Sequence, residues 1–335
     1  VHGAFHLDTV QVALLPQQGG KRTEGTVIRV LERGIRELVG TYQKSRNYGV
    51  VIPDNQRFLA DIFIPKECAA GAVDGHKVVV SLTDYGTGGR NPEGKIKEII
   101  GHKNDPGMDV LSVVYACGLP TQFPETVLEE TARIPEQISS GELEGRLDLR
   151  NCQMVTIDGE DSKDLDDAVS LTFDGTRYHL GVHIADVSGY VREGSALDRE
   201  ALKRGTSVYL ADRVIPMLPH RLSNGICSLS QGEDRLALSC LMELDGKGQL
   251  LSHRVEETVI RVDRRMTYRE VAGILEDQDE QLRENYRPLV PMLEQMGELS
   301  LLLQEQRRKR GAIDFDFPES RVLLDERGIP LAIRP

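Results

Sequence analysis

One acidic run decides how this sequence is interpreted: Thr156-Ile157-Asp158-Gly159-Glu160-Asp161-Ser162-Lys163-Asp164-Leu165-Asp166-Asp167-Ala168. The run contains five aspartates and one glutamate against a single lysine. Apolar residues alternate both before it, over 152–157, and after it, over 168–173, which is typical of two β-strands. The sequence therefore predicts a loop that joins two strands and presents carboxylate oxygens at their ends.

Three interpretations of this loop follow from its chemistry. Crowded carboxylates repel one another unless water, shifted pKa values or a bound cation relieves the repulsion. A solvated acidic turn needs no ligand, whereas an EF-hand calcium loop does not fit, because no Asp-x-Asp-x-Asp-Gly register with a downstream Glu can be placed on the run. A magnesium site needs only a few carboxylates, and two such ions roughly 3.5–4 Å apart would clamp a phosphodiester.

The run also resembles a known signature. Thr-Ile-Asp-x-x-Asp-x-x-Asp-x-Asp-Asp-Ala is similar to the catalytic-domain signature of the ribonuclease II/ribonuclease R (RNB) family, and most similar to its bacterial ribonuclease R branch. Further motifs follow in the family's order, at His183–Ser188, Arg204–Tyr209, Ile215–Pro219 and Leu222–Leu229. The resemblance extends from about residue 150 to the C-terminus, so a chance match to one motif does not explain it.

The resemblance implies a processive 3′-to-5′ exoribonuclease that hydrolyses single-stranded RNA to 5′-mononucleotides. It implies magnesium as the cofactor, as two ions, with manganese as the alternative. The motif match implies four catalytic and metal-binding residues: Asp158, Asp164, Asp166 and Asp167. It also implies that Tyr209 packs against bases near the RNA 3′ end, while Asp161 is extra to the four-residue pattern. Arg221 and Arg235 are candidate contacts to the RNA backbone.

The N-terminal third predicts small β domains. Residues 1–30 contain two alternating runs around a Gly19-Gly20 turn and resemble the end of a first cold-shock domain. Residues 36–101 contain five short strand patterns separated by Gly, Pro and Asp, which is typical of an OB-type barrel. This segment resembles a second, more complete cold-shock domain.

Barrels of this type bind single strands by stacking bases on exposed aromatic rings beside basic side chains. The candidate rings here are Tyr42, Tyr48, Phe58 and Phe63, and the candidate phosphate contacts are Lys44, Arg46, Arg57 and Lys66. Tyr48 is the predicted RNA contact among the rings. Phe63 is flanked by isoleucines, so a place in the core suits it equally well.

The remaining sequence predicts a connector over 102–150 and the N-terminal part of a catalytic domain over 151–335. Helices are predicted over 125–133, over 195–205, after a capping box at Thr267–Glu270, and over 281–310. A hairpin is predicted over 232–265 and a tight turn at Asn224-Gly225. His183 and Asp186 share a strand but point to opposite faces, so we interpret His183 as structural and not as a metal ligand.

The predicted fold is multidomain: small β-barrel (OB/cold-shock) domains followed by an α+β RNB catalytic domain, truncated at its C-terminus. Five scattered cysteines without a Cys-x-x-Cys pair and no long apolar run predict a cytoplasmic protein without a membrane span or a disulfide-linked partner. The net charge of −12 is unfavourable for nucleic-acid binding, although bound metal ions would offset it locally. The alternatives are an RNA-binding or chaperone module with an inactive nuclease domain, and a structural calcium-binding protein.

Overall fold

The computed structural model describes residues 3–15, 24–86, 89–313, 315, 320–325 and 328–334. The predicted Gly19-Gly20 turn lies outside these residues. In chain order, the strands are β1 (Thr9–Leu14), β2 (Gly25–Glu32), β3 (Glu37–Lys44), β4 (Tyr48–Pro53), β5 (Ile62–Pro65), β6 (His76–Asp84), β7 (Glu93–His102), β8 (Leu147–Asp148), β9 (Val155–Asp158), β10 (Asp167–Phe173), β11 (Arg177–Ala185), β12 (Val208–Tyr209), β13 (Val214–Ile215), β14 (Asp234–Asp245), β15 (Leu250–Arg261), β16 (Arg264–Thr267), β17 (Arg321–Leu324) and β18 (Pro330–Arg334). The α-helices are α1 (Met108–Ala116), α2 (Glu125–Arg133), α3 (Ala196–Arg204), α4 (Tyr268–Leu275), α5 (Glu280–Asn285) and α6 (Val290–Lys309).

The chain divides into two compact units. The first contains residues 1–122, 208–215 and 318–335, and the second contains residues 123–207 and 216–317. The segment predicted as a connector, 102–150, is thus divided between them. The predicted boundaries 1–30, 36–101, 102–150 and 151–335 stay a prediction.

In the first unit, five strands close into a barrel in the order β3-β4-β5-β7-β6, which confirms the OB-type prediction. Strand alternation builds its core: Ile62 and Ile64 are fully buried, while Phe63 between them is 37% exposed. Gly49 permits a close approach, because a Cβ atom there would lie 2.1 Å from the ring of Tyr42. Separately, the two alternating runs of residues 1–30 form strands β1 and β2, which pair antiparallel.

The second unit is built on a seven-stranded sheet in the order β16-β9-β10-β11-β14-β15-β8. The helices α4 and α6 pack on one face, where Ile274 and Leu293 meet Leu171 and Met266. A separate core cluster that includes Met154, Ala168 and Ile260 covers the other face. Strand periodicity explains this division, since neighbouring residues such as Ala168 and Leu171 at odd spacing point to opposite faces. The unit is therefore α+β, as predicted.

Most local predictions for the second unit are confirmed. Helix α2 spans the predicted residues, and α3 begins after the N-cap Ser195, whose side chain accepts a hydrogen bond from the backbone of Asp198. The Thr267–Glu270 capping box opens α4, and β14 and β15 form the predicted hairpin. The 281–310 pattern is divided between α5 and α6.

Two local features differ from the predictions. The Asn224-Gly225 pair does not form an isolated tight turn; it lies inside a π-helical turn, Leu222–Ile226, in which Gly225 departs from helical geometry. Its flanking residues Leu222 and Ile226 are buried in a core cluster, so packing favours the helical path. Helix α1 was not predicted, because the breaker-rich segment before it obscures its start.

The five cysteines are all free thiols. Among the described residues, no helix combines the length and apolar character needed to cross a membrane.

Candidate active site

The acidic run forms a loop between two neighbouring strands, as predicted. Strand β9 ends at Asp158 and β10 begins at Asp167, and the two strands pair antiparallel through Val155 and Val169. The ends of the loop therefore meet at one edge of the sheet. Asp166 lies just outside the regular strand, where its carbonyl oxygen accepts a 2.9 Å hydrogen bond from Ala185.

Electrostatics show that the four predicted aspartates share one region. The pKa of Asp158 is raised by burial and by repulsion from Asp167 and Asp164, with Arg265 opposing this effect. The pKa of Asp166 is raised by loss of hydration and then by Asp164, Asp167 and Asp158. The neighbouring carboxylates therefore make ionisation of Asp158 and Asp166 less favourable, which is the situation that a bound cation relieves.

The donor set fits a hard divalent cation, because it consists of carboxylate oxygens without thiol or imidazole ligands. Within the described residues, however, no three His, Cys, Asp or Glu side chains are already arranged to hold a metal ion. The four aspartates therefore fit magnesium by the chemistry of their ligand atoms.

Two residues that are distant in sequence hold the acidic loop. Ser228 donates to the carbonyl oxygen of Lys163 at 3.0 Å and accepts from the amide of Leu165 at 3.2 Å. Arg265 donates to carbonyl oxygens in the first half of the loop. The sequence analysis did not identify Ser228 or Arg265, because contacts between residues so far apart in the chain leave no local sequence pattern.

His183 is structural in this unit. It is fully buried, with Nε2 2.9 Å from Ser170 Oγ and Nδ1 2.7 Å from Ser239 Oγ. Burial lowers its pKa to about 4, so the ring is neutral at physiological pH. Asp186 is also engaged elsewhere, in a 2.6 Å ion pair with Arg146. This geometry gives no support to a metal pair made by His183 and Asp186.

The predicted RNA contacts of the C-terminal region lie in different surroundings. Tyr209 is 65% exposed on the short β12–β13 hairpin of the first unit. Arg221 belongs to the second unit, where it donates to the carbonyl oxygen of Ile134 and forms a 3.3 Å ion pair with Glu136. Arg235 is buried and donates to backbone carbonyl oxygens, which argues against a phosphate contact there. The roles of Tyr209 and Arg221 stay predictions.

The barrel presents two of its four candidate aromatic rings. Tyr48 and Phe63 are exposed on neighbouring strands, with ring centroids 5.4 Å apart. The prediction that Tyr42 and Phe58 stack on bases is wrong, because both rings are buried in the barrel core. The candidate basic residues remain exposed around the barrel: Lys44, Arg46, Arg57 and Lys66. A small amphipathic surface centred on Tyr48 and Phe63 is therefore available for base stacking.

Comparison with known proteins gives consistent matches along the whole chain. The RNB domain matches residues 146–335, and a cold shock domain matches residues 51–124. Ribonuclease R of Thermotoga maritima is 45% identical over 99% of this chain and 47% of its own length. Ribonuclease R of Escherichia coli strain K12 is 40% identical over 96% of this chain and 40% of its own length. The chain thus spans about half or less of these relatives.

Solved structures show the same fold. Mycoplasma genitalium RNase R in complex with ribose methylated single-stranded RNA superposes with a TM-score of 0.89 at 25% identity, over 100% of this chain and 53% of that chain. Yeast Ssd1, described as a pseudonuclease, superposes with a TM-score of 0.65 at 19% identity, over 90% of this chain and 38% of that chain.

Proposed function

Because the chain belongs to the RNB family, we propose that it acts as a 3′-to-5′ exoribonuclease that hydrolyses single-stranded RNA processively to 5′-mononucleotides. The observation that carries the proposal is the placement of four aspartates on one loop between two paired strands, where neighbouring carboxylates raise the pKa values of Asp158 and Asp166. Such a cluster of carboxylates is electrostatically unfavourable without a counterion, and a bound divalent cation would offset the repulsion. A cytoplasmic location is part of the same proposal.

The proposed chemistry assigns a role to each aspartate. Asp158, Asp164 and Asp167 would hold or orient magnesium ions, with manganese as the alternative, and Asp166 would lie nearest to the attacking water. When bound, a pair of magnesium ions supplies the positive charge that neutralises the phosphodiester and activates water. The β9–β10 loop keeps the four carboxylates together, so little reorganisation of the backbone is required at the moment of reaction.

A second candidate is an RNA-binding or chaperone module without hydrolysis. It is favoured by the exposed Tyr48–Phe63 pair, which would bind RNA whatever the state of the aspartates. The lack, within the described residues, of three carboxylates already arranged for a metal ion is consistent with it too. The intact four-aspartate pattern is the argument against it, since a pseudonuclease has no need to retain every ligand.

One experiment separates the two. A 5′-labelled single-stranded RNA is incubated with the natural full-length protein that carries this sequence and with the 335-residue chain alone, in magnesium or in chelator. The proposed activity gives magnesium-dependent conversion to a very short labelled product, without labelled mononucleotide at early times. RNA binding without any cleavage by either protein would instead establish the non-hydrolytic module.

A further inference from the structure

Arg265 lies on the strand next to the acidic loop. Strand β16 pairs parallel with β9, and in this register Arg265 is opposite Thr156 while Thr267 is opposite Asp158. Register partners in adjacent strands project to the same face of a sheet. Since Met266 packs in the helix-covered core, Arg265 projects to the other face, together with Thr156 and Asp158. The guanidinium thus lies beneath the first half of the loop.

The guanidinium is surrounded by loop carbonyl groups. Its Nη2 atom donates to the carbonyl oxygens of Gly159 at 3.3 Å, Glu160 at 2.9 Å and Ser162 at 2.8 Å. Nη2 carries two hydrogens, so at least one of them is shared between two carbonyl groups. Three carbonyl groups from four consecutive residues therefore converge on one nitrogen, and the loop backbone is wrapped around it.

The Nε atom of the guanidinium is in an energetically unfavourable environment. Its Nε is buried without a hydrogen-bond partner among the described residues, and so is the Oγ1 atom of Thr156, its register partner. Partial burial of an arginine side chain costs desolvation free energy. The hydrogen bonds to the loop carbonyl groups offset this cost.

We propose that Arg265 is a positioning residue for the cation site: its guanidinium fixes the backbone from Gly159 to Ser162 so that Asp158 and Asp164 can share divalent ions with Asp166 and Asp167. The inference rests on the proposed function and adds a second anchor to it. Ser228 holds the later part of the loop through Lys163 and Leu165, and Arg265 holds the earlier part. The Arg265 guanidinium donates its hydrogen bonds to carbonyl oxygens of the loop backbone, so it acts through the positions of the aspartates.

The test compares Arg265→Met, Arg265→Ala and wild type in the natural full-length protein. Methionine keeps the aliphatic volume and removes the donors, and alanine leaves space for a guanidinium ion. Arg254→Met on the exposed part of β15 is the matched control, because its guanidinium is exposed and pairs with Glu256 at 3.7 Å. Magnesium binding is measured calorimetrically without RNA, RNA binding is measured in chelator, and unfolding is followed thermally.

We expect both Arg265 variants to bind magnesium roughly 10- to 100-fold more weakly, as is usual when a group supporting metal ligands is removed. RNA affinity in chelator should stay at the wild-type level, and millimolar guanidinium should restore magnesium affinity to Arg265→Ala. A general structural defect would not produce this rescue or spare RNA binding. If the alanine variant does not fold, Arg265→Met carries the test through its magnesium and RNA affinities.

Two outcomes overturn the inference. One is wild-type magnesium affinity in Arg265→Met; the other is a parallel loss of magnesium affinity, RNA affinity and thermal stability without rescue by guanidinium. Failure of the proposed function is a distinct result, since the wild-type protein would then neither bind magnesium nor hydrolyse RNA.

Discussion

Asp166 is held in a place that is unfavourable for its charge. Its pKa is raised by loss of hydration and by the three neighbouring carboxylates, so the ionised form destabilises the fold above its folded-state pKa, and this penalty disappears as the pH falls. We predict that Asp166→Asn abolishes hydrolysis, leaves RNA affinity nearly unchanged and slightly stabilises the metal-free protein at neutral pH. Solvent screening limits the gain to less than about 1 kcal/mol, or roughly 2–4 °C in the melting temperature.

The control for this prediction is Asp161→Asn. Asp161 lies in the same loop but is extra to the four-aspartate pattern, so its variant should hydrolyse RNA at a rate near that of wild type. Hydrolysis and thermal unfolding of both variants are measured with magnesium and with chelator. An active Asp166→Asn protein, or one that has lost RNA binding together with hydrolysis in a preserved fold, would remove Asp166 from the proposed role.

His183 predicts a different pH dependence. Burial lowers its pKa from 6.5 to about 4, so between these values the unfolded chain binds a proton that the folded chain does not. Stability is therefore fully present above pH 6.5 and falls as the pH decreases towards 4, by about 3 kcal/mol in total from this residue. We predict that His183→Gln flattens the dependence of the unfolding free energy on pH in this window.

The unfolding free energy is measured by urea denaturation at several values between pH 7 and pH 4. The slope of this free energy against pH, and not its absolute value, is compared between His183→Gln and wild type. The change in slope separates proton uptake from the packing loss that any substitution in a buried network causes. His253→Gln, at an exposed position of β15, serves as control and should keep the wild-type slope. An unchanged slope in His183→Gln would show that the ring is not buried as a neutral group in solution.

At the scale of single elements, the sequence was informative where the signal is local. Alternating apolar residues located the barrel strands, and cap residues located α3 and α4, because hydrogen bonds within three or four residues define those ends. Strand β16 was not recognised as a partner of β9, since parallel pairing between segments 100 residues apart leaves no local pattern. The Arg265 anchor was missed for the same reason.

The candidate site was predictable to a similar extent. The spacing of the aspartates and the family resemblance identified the acidic loop, and the geometry brings its ends together. Exposure of the barrel aromatics was less predictable: Tyr42 and Phe58 fill the core, whereas Phe63 is exposed although isoleucines flank it. Composition identifies which rings could stack on RNA, but the direction of each strand face depends on how the barrel closes.

The N-terminus of α4 connects element stability with the site. The Thr267 hydroxyl accepts a hydrogen bond from the Glu270 amide, and the Glu270 carboxylate accepts one from the Thr267 amide. Thr267 is also the register partner of Asp158. We predict that Thr267→Ala lowers the unfolding free energy by about 1 kcal/mol, whereas Thr267→Ser retains most of it. Urea denaturation of wild type, Thr267→Ser and Thr267→Ala measures their unfolding free energies, which should decrease in that order. If the alanine variant were as stable as wild type, the cap would contribute nothing to stability.

On the scale of the whole molecule, a net charge of −12 requires that RNA affinity come from local surfaces. The first unit has exposed rings on its barrel, and the second unit has the acidic loop, for which we propose bound cations. Base stacking works without metal and tolerates any sequence, while the carboxylates repel phosphate until ions neutralise them. RNA binding and metal binding should therefore be separable by substitution.

We predict that Tyr48→Ala combined with Phe63→Ala weakens single-stranded RNA binding in chelator by about 1–3 kcal/mol for each stacked base and leaves calorimetric magnesium affinity unchanged. Leu59→Ala is the matched control, because this side chain is 92% exposed on the same barrel but has no ring to stack. Asp166→Asn should show the converse, with weaker magnesium binding and intact RNA binding. If the double variant bound RNA as tightly as wild type does, affinity would have to arise elsewhere, and Tyr48 would no longer be an RNA contact.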